Sequence, residues 1–228
     1  MINMPPSSQG DDESNYQLVV KIDNVKNIYF LLKAISFQEK ATCFATDNGL
    51  KITVEDLKCI QANAFIQVEI FQEYHLNDSD GPVTFSLDLN VLLECLNIFG
   101  AATLHNVSTA LKLCYRGHGY PVQLLLEEDG VLTDCSIRTL ELQDLLSFNF
   151  PADNTVNKVI LTSDPVKDIF SVLDQTSDMF EVLLSPEEPY IRFTTIGNTG
   201  ECQIEIPKDS DIVEAFQCTT TSKSSVCQ

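Results

Sequence analysis

Apolar positions along the chain change period several times, and each change marks an element. From Tyr16 to Ile22 they alternate and become β-branched, the period of a half-buried strand. After Asp23 the spacing lengthens. Val25, Ile28, Leu32 and Ile35 fall three, four and three residues apart, which predicts an amphipathic helix capped by Asp23 or Asn24. Alternation then returns: Ala41–Thr46 and Leu50–Glu55 flank Asp47-Asn48-Gly49, and Asn-Gly between alternating runs predicts a hairpin. Ile60–Ile70 and Val83–Asp88 read as further strands, with the polar Asn77–Pro82 as the turn between them. Asn90–Phe99 is too continuously apolar for a solvated surface helix and predicts a second, packed helix closed by Gly100. Thr109–Tyr115, Pro121–Glu127 and Val131–Thr139 are strands again, broken at Gly117–Gly119 and at Glu128-Asp129-Gly130.

At Leu140–Asn154 the periodicity stops. The segment mixes acids with Leu142, Leu145, Leu146, Phe148 and Phe150 and ends in Pro151-Ala152-Asp153-Asn154. So many large apolar residues in a free linker are unusual, so this one is expected to lie along a surface. Beyond it the opening of the chain is repeated. Asp23–Leu32 aligns with Asp164–Leu173 at an offset of 141 residues, with Asp, Val, Lys, Ile and the final Leu identical and Tyr29 answered by Phe170. Each copy follows a β-rich strand (Leu18–Ile22; Val159–Leu161) and precedes a strand, a turn and a strand; in the second these are Phe180–Leu184, Ser185–Pro189 and Tyr190–Thr195. An offset this long indicates a duplicated domain and not a solenoid period. Cys202–Ile206 and Ile212–Gln217 read as two more strands, and Thr219–Gln228 as a Ser/Thr-rich tail with no core positions. The expected organisation is a disordered lead-in at 1–15, a first domain at 16–139, a connector at 140–155, a partial second domain at 156–218 and a divergent tail at 219–228. The second copy of the inserted helix has no counterpart in this reading.

Composition narrows the function. Among 228 residues, 14 Lys and Arg stand against 33 Asp and Glu, a formal charge of −19, divided as −9 over residues 1–139 and −10 over 140–228. Such a field repels phosphate and anionic lipid, so adhesion to nucleic acid or membrane through the whole surface is disfavoured and any DNA contact must be local. With 44% hydrophobic and 21% charged residues the chain has the means to build a core. No apolar run has the length of a membrane span and Met1–Asn15 lacks a signal-peptide pattern, so an intracellular soluble protein without a membrane partner is expected. Eight cysteines sit mostly within apolar stretches without a C-x-x-C, and His75, His105 and His118 are not at ligand spacing, which reads as buried thiols and no metal site.

On a helical wheel the apolar side of the first helix takes Val25, Ile28, Leu31, Leu32 and Ile35, and Lys26 and Lys33 share the other side; Lys167 occupies the position of Lys26 in the repeat. Lysines on a sheet-packed helix ordinarily just keep their charge in water. The alternative is a small cationic face that alone meets phosphate backbone.

A duplicated domain of antiparallel strands with two helices, joined by an apolar-spotted connector, resembles the PCNA-type sliding clamps. The strings Lys33-Ala34-Ile35, Ala41–Thr46, Gln61–Gln67, Phe71-Gln72-Glu73, Leu92–Gly100, Gly119-Tyr120-Pro121, Pro207–Asp211 and Glu214-Ala215-Phe216 resemble, more closely, the Rad-one-type subunit of the nine-one-one DNA-damage checkpoint clamp. The similarity runs from about Tyr16 to Cys218. It implies an α+β DNA-clamp (PCNA-like) fold of duplicated domains, antiparallel sheet outside and two inner helices each, the second domain incomplete. It also implies one subunit of a heterotrimeric ring that encircles double-stranded DNA at damage sites in the nucleus and serves as a platform for checkpoint signalling and repair proteins. Its partners would be two other clamp subunits, a clamp loader, and repair or checkpoint proteins, with no cofactor, metal or catalysis.

By that resemblance Lys26, Lys33 and Lys167 face the hole. The last strand of the first domain, with Val131, Thr133, Cys135 and Ile137, pairs with a neighbour's second domain, and the matching edge here carries Cys202, Ile204 and Ile206. Leu142, Leu145, Leu146, Phe148 and Phe150 lie on the connector where partners dock short hydrophobic motifs. The tail looks like an alternative ending, as from a splice variant, from which a weakly stable second domain and impaired ring closure are expected. Two other classes stand beside this one. A 3′-to-5′ exonuclease needs carboxylates converging on a metal, and the acid groups Asp11-Asp12-Glu13 and Glu127-Glu128-Asp129 fall in a lead-in and a turn. A truncated interaction module that does not bind DNA is the third.

Overall fold

The computed structural model describes residues 15–79, 81–100, 108–147, 156–173, 176–198 and 200–227. The chain separates into two compact units that divide between Ser147 and Phe148, each with its own core. The predicted lead-in lies outside the described residues, as do Phe148 and Phe150 of the connector.

The first unit runs β1 (Leu18–Ile22), α1 (Lys26–Ala34), β2 (Lys40–Thr46), β3 (Gly49–Asp56), β4 (Ile60–Gln67), a 3-10 turn at Val68–Ile70, β5 (Glu73–Leu76), β6 (Val83–Asp88), α2 (Leu89–Leu96), β7 (Ala110–Tyr115), β8 (Val122–Glu128) and β9 (Val131–Ile137). Two antiparallel sheets form, in the orders β5-β1-β7-β8-β9 and β4-β3-β2-β6. Alternation in the strands sends Leu18, Val20, Leu111, Leu113, Leu124 and Leu126 of one sheet and Ala41, Cys43, Ile52, Val54, Ala64 and Phe85 of the other into a single core shared with both helices. The Phe85 and Tyr115 rings meet across the two sheets with centroids 4.5 Å apart.

Helix α1 contributes Val25, Ile28, Tyr29 and Leu32, the i, i+3, i+4, i+7 stripe of a packed helix. Tyr29 therefore takes the place that the wheel reading gave to Leu31, which lies on the flank and is 38% exposed. The cap is Asn24, whose Oδ1 accepts the Lys26 N–H at 2.9 Å. Helix α2 starts one residue earlier and ends three earlier than predicted, because Asp88 Oδ1 accepts from the N–H groups of Asn90 and Val91 and the chain turns out again at Asn97–Gly100, where Gly100 has φ +72°. Strand β5 lies in a stretch that the apolar pattern leaves unassigned. Its residues Glu-Tyr-His-Leu carry no apolar period, and only the ladder to β1, from Leu18↔Leu76 to Lys21↔Glu73, makes it a strand.

The second unit runs β10 (Asn157–Leu161), α3 (Ser163–Val172), β11 (Met179–Leu184), β12 (Ile191–Gly197), β13 (Gly200–Ile206), β14 (Val213–Cys218) and β15 (Ser222–Cys227). Its sheets have the orders β10-β14 and β13-β12-β11-β15. Strand by strand this repeats the first unit: β10 pairs β14 as β1 pairs β5, and β13-β12-β11-β15 repeats β4-β3-β2-β6. Part of the segment that the sequence pattern assigned to a Ser/Thr-rich tail is thus a strand of this sheet. Ser222–Cys227 pair with β11 from Ser222↔Leu184 to Cys227↔Met179, with Lys223 Nζ 2.6 Å from Glu181 Oε2, and the approach is held by Asn157 Nδ2 donating to Thr220 O at 2.8 Å. A backbone ladder with polar cross-strand contacts needs no apolar alternation, which is why the pattern hid it.

Among the described residues the second unit has one helix and no counterpart of α2 or of β7–β9, so the expected two inner helices are seen only in the first unit. Helix α3 begins at Ser163, with Asp164 in the first turn, where a carboxylate suits the helix dipole, and Pro165, whose missing N–H is not needed there. None of its residues is buried. The core cluster of this unit holds three buried side chains, Ile191, Phe193 and Ile206, flanked by the half-exposed rings of Phe170 and Phe180.

The β2–β3 hairpin turns through Asp47-Asn48, with Thr46 paired to Gly49. Gly49 has φ +123°, and a Cβ there would sit 2.1 Å from Ile66 O and 2.9 Å from Val68 N. Both neighbours are backbone and cannot swing away. Gly49→Ala is therefore expected to lower the stability of the first unit by about 2–4 kcal/mol, read as a lower urea midpoint with unchanged m; a midpoint equal to that of the parent would show that the hairpin rearranges at no cost.

Candidate interaction surfaces

Three surfaces carry the residues singled out in the sequence. On α1, Lys26 is half-buried and Lys33 exposed, with the Lys33 ammonium 5.7 Å from the centroid of the Tyr29 ring. Lys167 is exposed on α3, in the other unit. Exposed acids are Glu94 on α2, and Asp164 and Asp168 on α3. Helix α1 thus carries two lysines and no acid, α2 one glutamate and no lysine, and α3 one lysine against two aspartates. They also expose apolar groups, Phe30 and Leu31 on α1 and Phe170 and Val172 on α3. Leu31 and Val172 occupy equivalent positions of the repeat.

The second surface is a pair of sheet edges. Strand β9 ends the five-stranded sheet and β13 ends the four-stranded sheet of the second unit. From first residue to last they run from exposed to buried in the same order: Thr133 and Cys135 are half-buried and Ile137 buried on β9, and Cys202 and Ile204 are half-buried and Ile206 buried on β13. Val131 is 56% exposed. These inward rows rest on Leu124 and Leu126 in one unit and on Ile191 and Phe193 in the other. Each edge is an apolar-backed strand with one unpaired side, the kind of edge that accepts another strand.

The third is the connector. Residues 140–147 belong to the first unit, and the Leu140 N–H donates to Ser86 O of β6 at 2.8 Å. Leu142 is 51% and Leu146 38% exposed, and Leu145 half-buried, so the chain lies on the sheet and turns leucines outward. Sequence pattern missed two further exposed apolar groups: Leu57 at the β3–β4 turn, 87% exposed with φ +46°, and Phe65 on edge strand β4, 66% exposed. A lone aromatic at an outward position of the Gln61–Gln67 alternation was the available signal for Phe65.

Among the described residues no group of three His, Cys, Asp or Glu converges on a point, and no helix is long and apolar enough to cross a membrane. His75 lies in β5, and His118 is in the turn before β8. Burial pushes the Cys43 thiol up to about 12 and Cys95, beside Cys135, up to about 11, the opposite of nucleophile activation.

A profile described as Repair protein Rad1/Rec1/Rad17 matches residues 17–228. The human cell cycle checkpoint protein RAD1 is 50% identical over 211 residues, 92% of this chain and 74% of that protein. The DNA repair exonuclease REC1 of Mycosarcoma maydis is 31% identical over 124 residues, 44% of this chain and 27% of its own length. Among solved structures, PCNA from Thermococcus kodakaraensis superposes with a TM-score of 0.67 at 14% identity, covering 92% of this chain and 81% of that one. The fold is that of the PCNA clamp.

The thiol environments give a direct check. Exposed Cys59 is expected to react with a disulfide reagent at neutral pH within the mixing phase, and Cys43 only as fast as the first unit opens; prompt labelling of Cys43 in native protein would show that the sheet core is not closed as described.

Proposed function

The chain belongs to the Rad1/Rec1/Rad17 family of repair proteins, and from that premise we propose that it is one subunit of a heterotrimeric, ring-shaped checkpoint clamp that encircles double-stranded DNA in the nucleus. The observation that carries this reading is the repeated unit with two open, apolar-backed edges, β9 and β13, one in each copy. A chain with an acceptor edge in each unit can build a ring from neighbours by strand addition, head to tail, and ring closure then covers both β9 and β13. Two other clamp subunits supply the complementary strands.

The charge distribution supports topological holding over adhesion. Lys26, Lys33 and Lys167 face the hole, and with only three such cations, Lys167 having Asp164 and Asp168 on its own helix, the phosphate attraction is small. A closed ring needs little more, because escape requires opening an interface. The acidic remainder keeps the outside of the ring off neighbouring DNA. The role requires no bond to be made or broken, and the exonuclease name belongs to a relative that matches less than half of this chain. The outward leucines Leu142 and Leu146 on the connector suit short apolar motifs of clamp loader, repair or checkpoint proteins.

The test is loading of the assembled ring onto nicked circular DNA, then linearisation. The parent ring should be retained on circles and lost from linear DNA. Lys26→Glu, Lys33→Glu and Lys167→Glu together should leave assembly intact while reducing retention at low salt by roughly tenfold and flattening its salt dependence. Full retention by the triple variant contradicts the assignment of these lysines to the hole, and a ring held equally on linear DNA contradicts topological holding.

A further inference from the structure

The outer face of the sheet β4-β3-β2-β6 carries a chain of side-chain hydrogen bonds that ends on the connector. Glu55 of β3 and Gln61 of β4 are cross-strand partners. Gln61 Nε2 donates to Glu55 Oε2 at 2.8 Å and to the Leu146 carbonyl at 3.0 Å. The Leu146 N–H in turn donates to Glu55 Oε2 at 3.0 Å. Both backbone groups of one connector residue are thus held by one pair of side chains, in the way an adjacent strand would hold them. Gln61 is not free to flip: its Oε1 accepts from Asn63 Nδ2 at 3.2 Å, and Asn63 Oδ1 accepts from the Thr53 hydroxyl at 2.7 Å. The only other backbone tie of the described connector to this sheet is the Leu140 N–H to Ser86 O, on the opposite edge strand. Between the two ties the chain arches. A cavity of about 480 Å³ lies beside the arch, lined by Gln38, Lys40, Leu57, Lys58, Gln143 and Asp144 together with Glu55.

We propose that Glu55 and Gln61 are positioning residues that act as a latch on the connector, setting it as an arched strap with Leu142 and Leu146 outward. The inference rests on the reading of the connector as a docking surface, which it deepens by naming what presents it. A strap held at one backbone residue by a carboxylate and an amide is released by loss of either, without disturbing the sheet beneath. Its presentation is therefore adjustable independently of the fold. The charge on Glu55 strengthens the Leu146 N–H contact, and the amide of Gln61 supplies the donor that a second carboxylate there would lack.

Hydrogen exchange of the whole chain, read residue by residue, tests this without any partner, so its outcome is separate from whether partners dock. In the parent protein the Leu146 amide should exchange at least about tenfold more slowly than those of Leu142 and Gln143. Gln61→Glu places a second carboxylate against Glu55 and the Leu146 carbonyl, and should speed Leu146 exchange about tenfold or more while the amides of β3 and the urea midpoint stay within error. Glu55→Gln keeps an oxygen acceptor for the Leu146 N–H and leaves the Gln61 donor in place, so it should speed Leu146 exchange clearly less than Gln61→Glu does, a difference that a merely structural role of the pair would not produce. Unchanged Leu146 exchange in Gln61→Glu, acceleration spread through β3 and β4, or acceleration in Glu55→Gln as large as in Gln61→Glu would each overturn the latch.

Discussion

A strand at the end of an antiparallel sheet presents alternate N–H and C=O groups that no neighbour satisfies, and a fold made almost wholly of such sheets has to place those ends somewhere. In this chain the ends that matter are β9 and β13. Both are seven residues long with the same progression from exposed to buried side chains, so neither is blunted in the usual ways, by brevity or by proline within the strand. On the proposed reading, a partner strand makes them tolerable. The acidic surface, at −19 overall, discourages indiscriminate pairing and leaves the edges for specific neighbours.

The two units meet that constraint with unequal cores. In the first, both helices and both sheets share one core that buries Leu18, Leu32, Leu87, Leu89 and Leu124 almost completely, each contributing about 1.5–3 kcal/mol of hydrophobic stabilisation. In the second, the same strand order from β10 to β15 surrounds Ile191, Phe193 and Ile206, with most other apolar groups half-exposed. One topology is thus present twice at different packing depth. Residues 140–147 of the connector belong mechanically to the first unit, since Leu140 and Leu146 are bonded to β6, β3 and β4.

Much of this was legible from residue order. Period-two alternation located most strands within a residue or two, the spacing of Val25, Ile28 and Leu32 found α1, and the recurrence of Asp23–Leu32 at Asp164–Leu173 exposed the duplication. Failures came where tertiary pairing outranks local pattern. Strand β5 is a strand through its ladder to β1, and β15, Ser-Lys-Ser-Ser-Val-Cys, through its ladder to β11. Leu31 was misplaced because five apolar residues compete for a stripe only about 100° wide, and Tyr29 packs better at i+4 from Val25. The lysines of the candidate hole face were findable by position, whereas the exposure of Glu94, Asp164 and Asp168 became visible only once α2 and α3 had exposed faces. Nothing in the periodicity pointed to Glu55 and Gln61, whose pairing depends on hairpin register.

The central claim is that β9 and β13 are acceptor edges filled by neighbouring subunits. Hydrogen exchange of β9 and β13 amides, measured on this chain alone and in complex with the two other ring subunits, tests it most directly. The account predicts fast exchange of the outward-pointing amides of both strands in the isolated chain and slow exchange in the complex, with the central strands β1, β2 and β12 slow in both. Protection that appears elsewhere while β9 and β13 continue to exchange freely would contradict it.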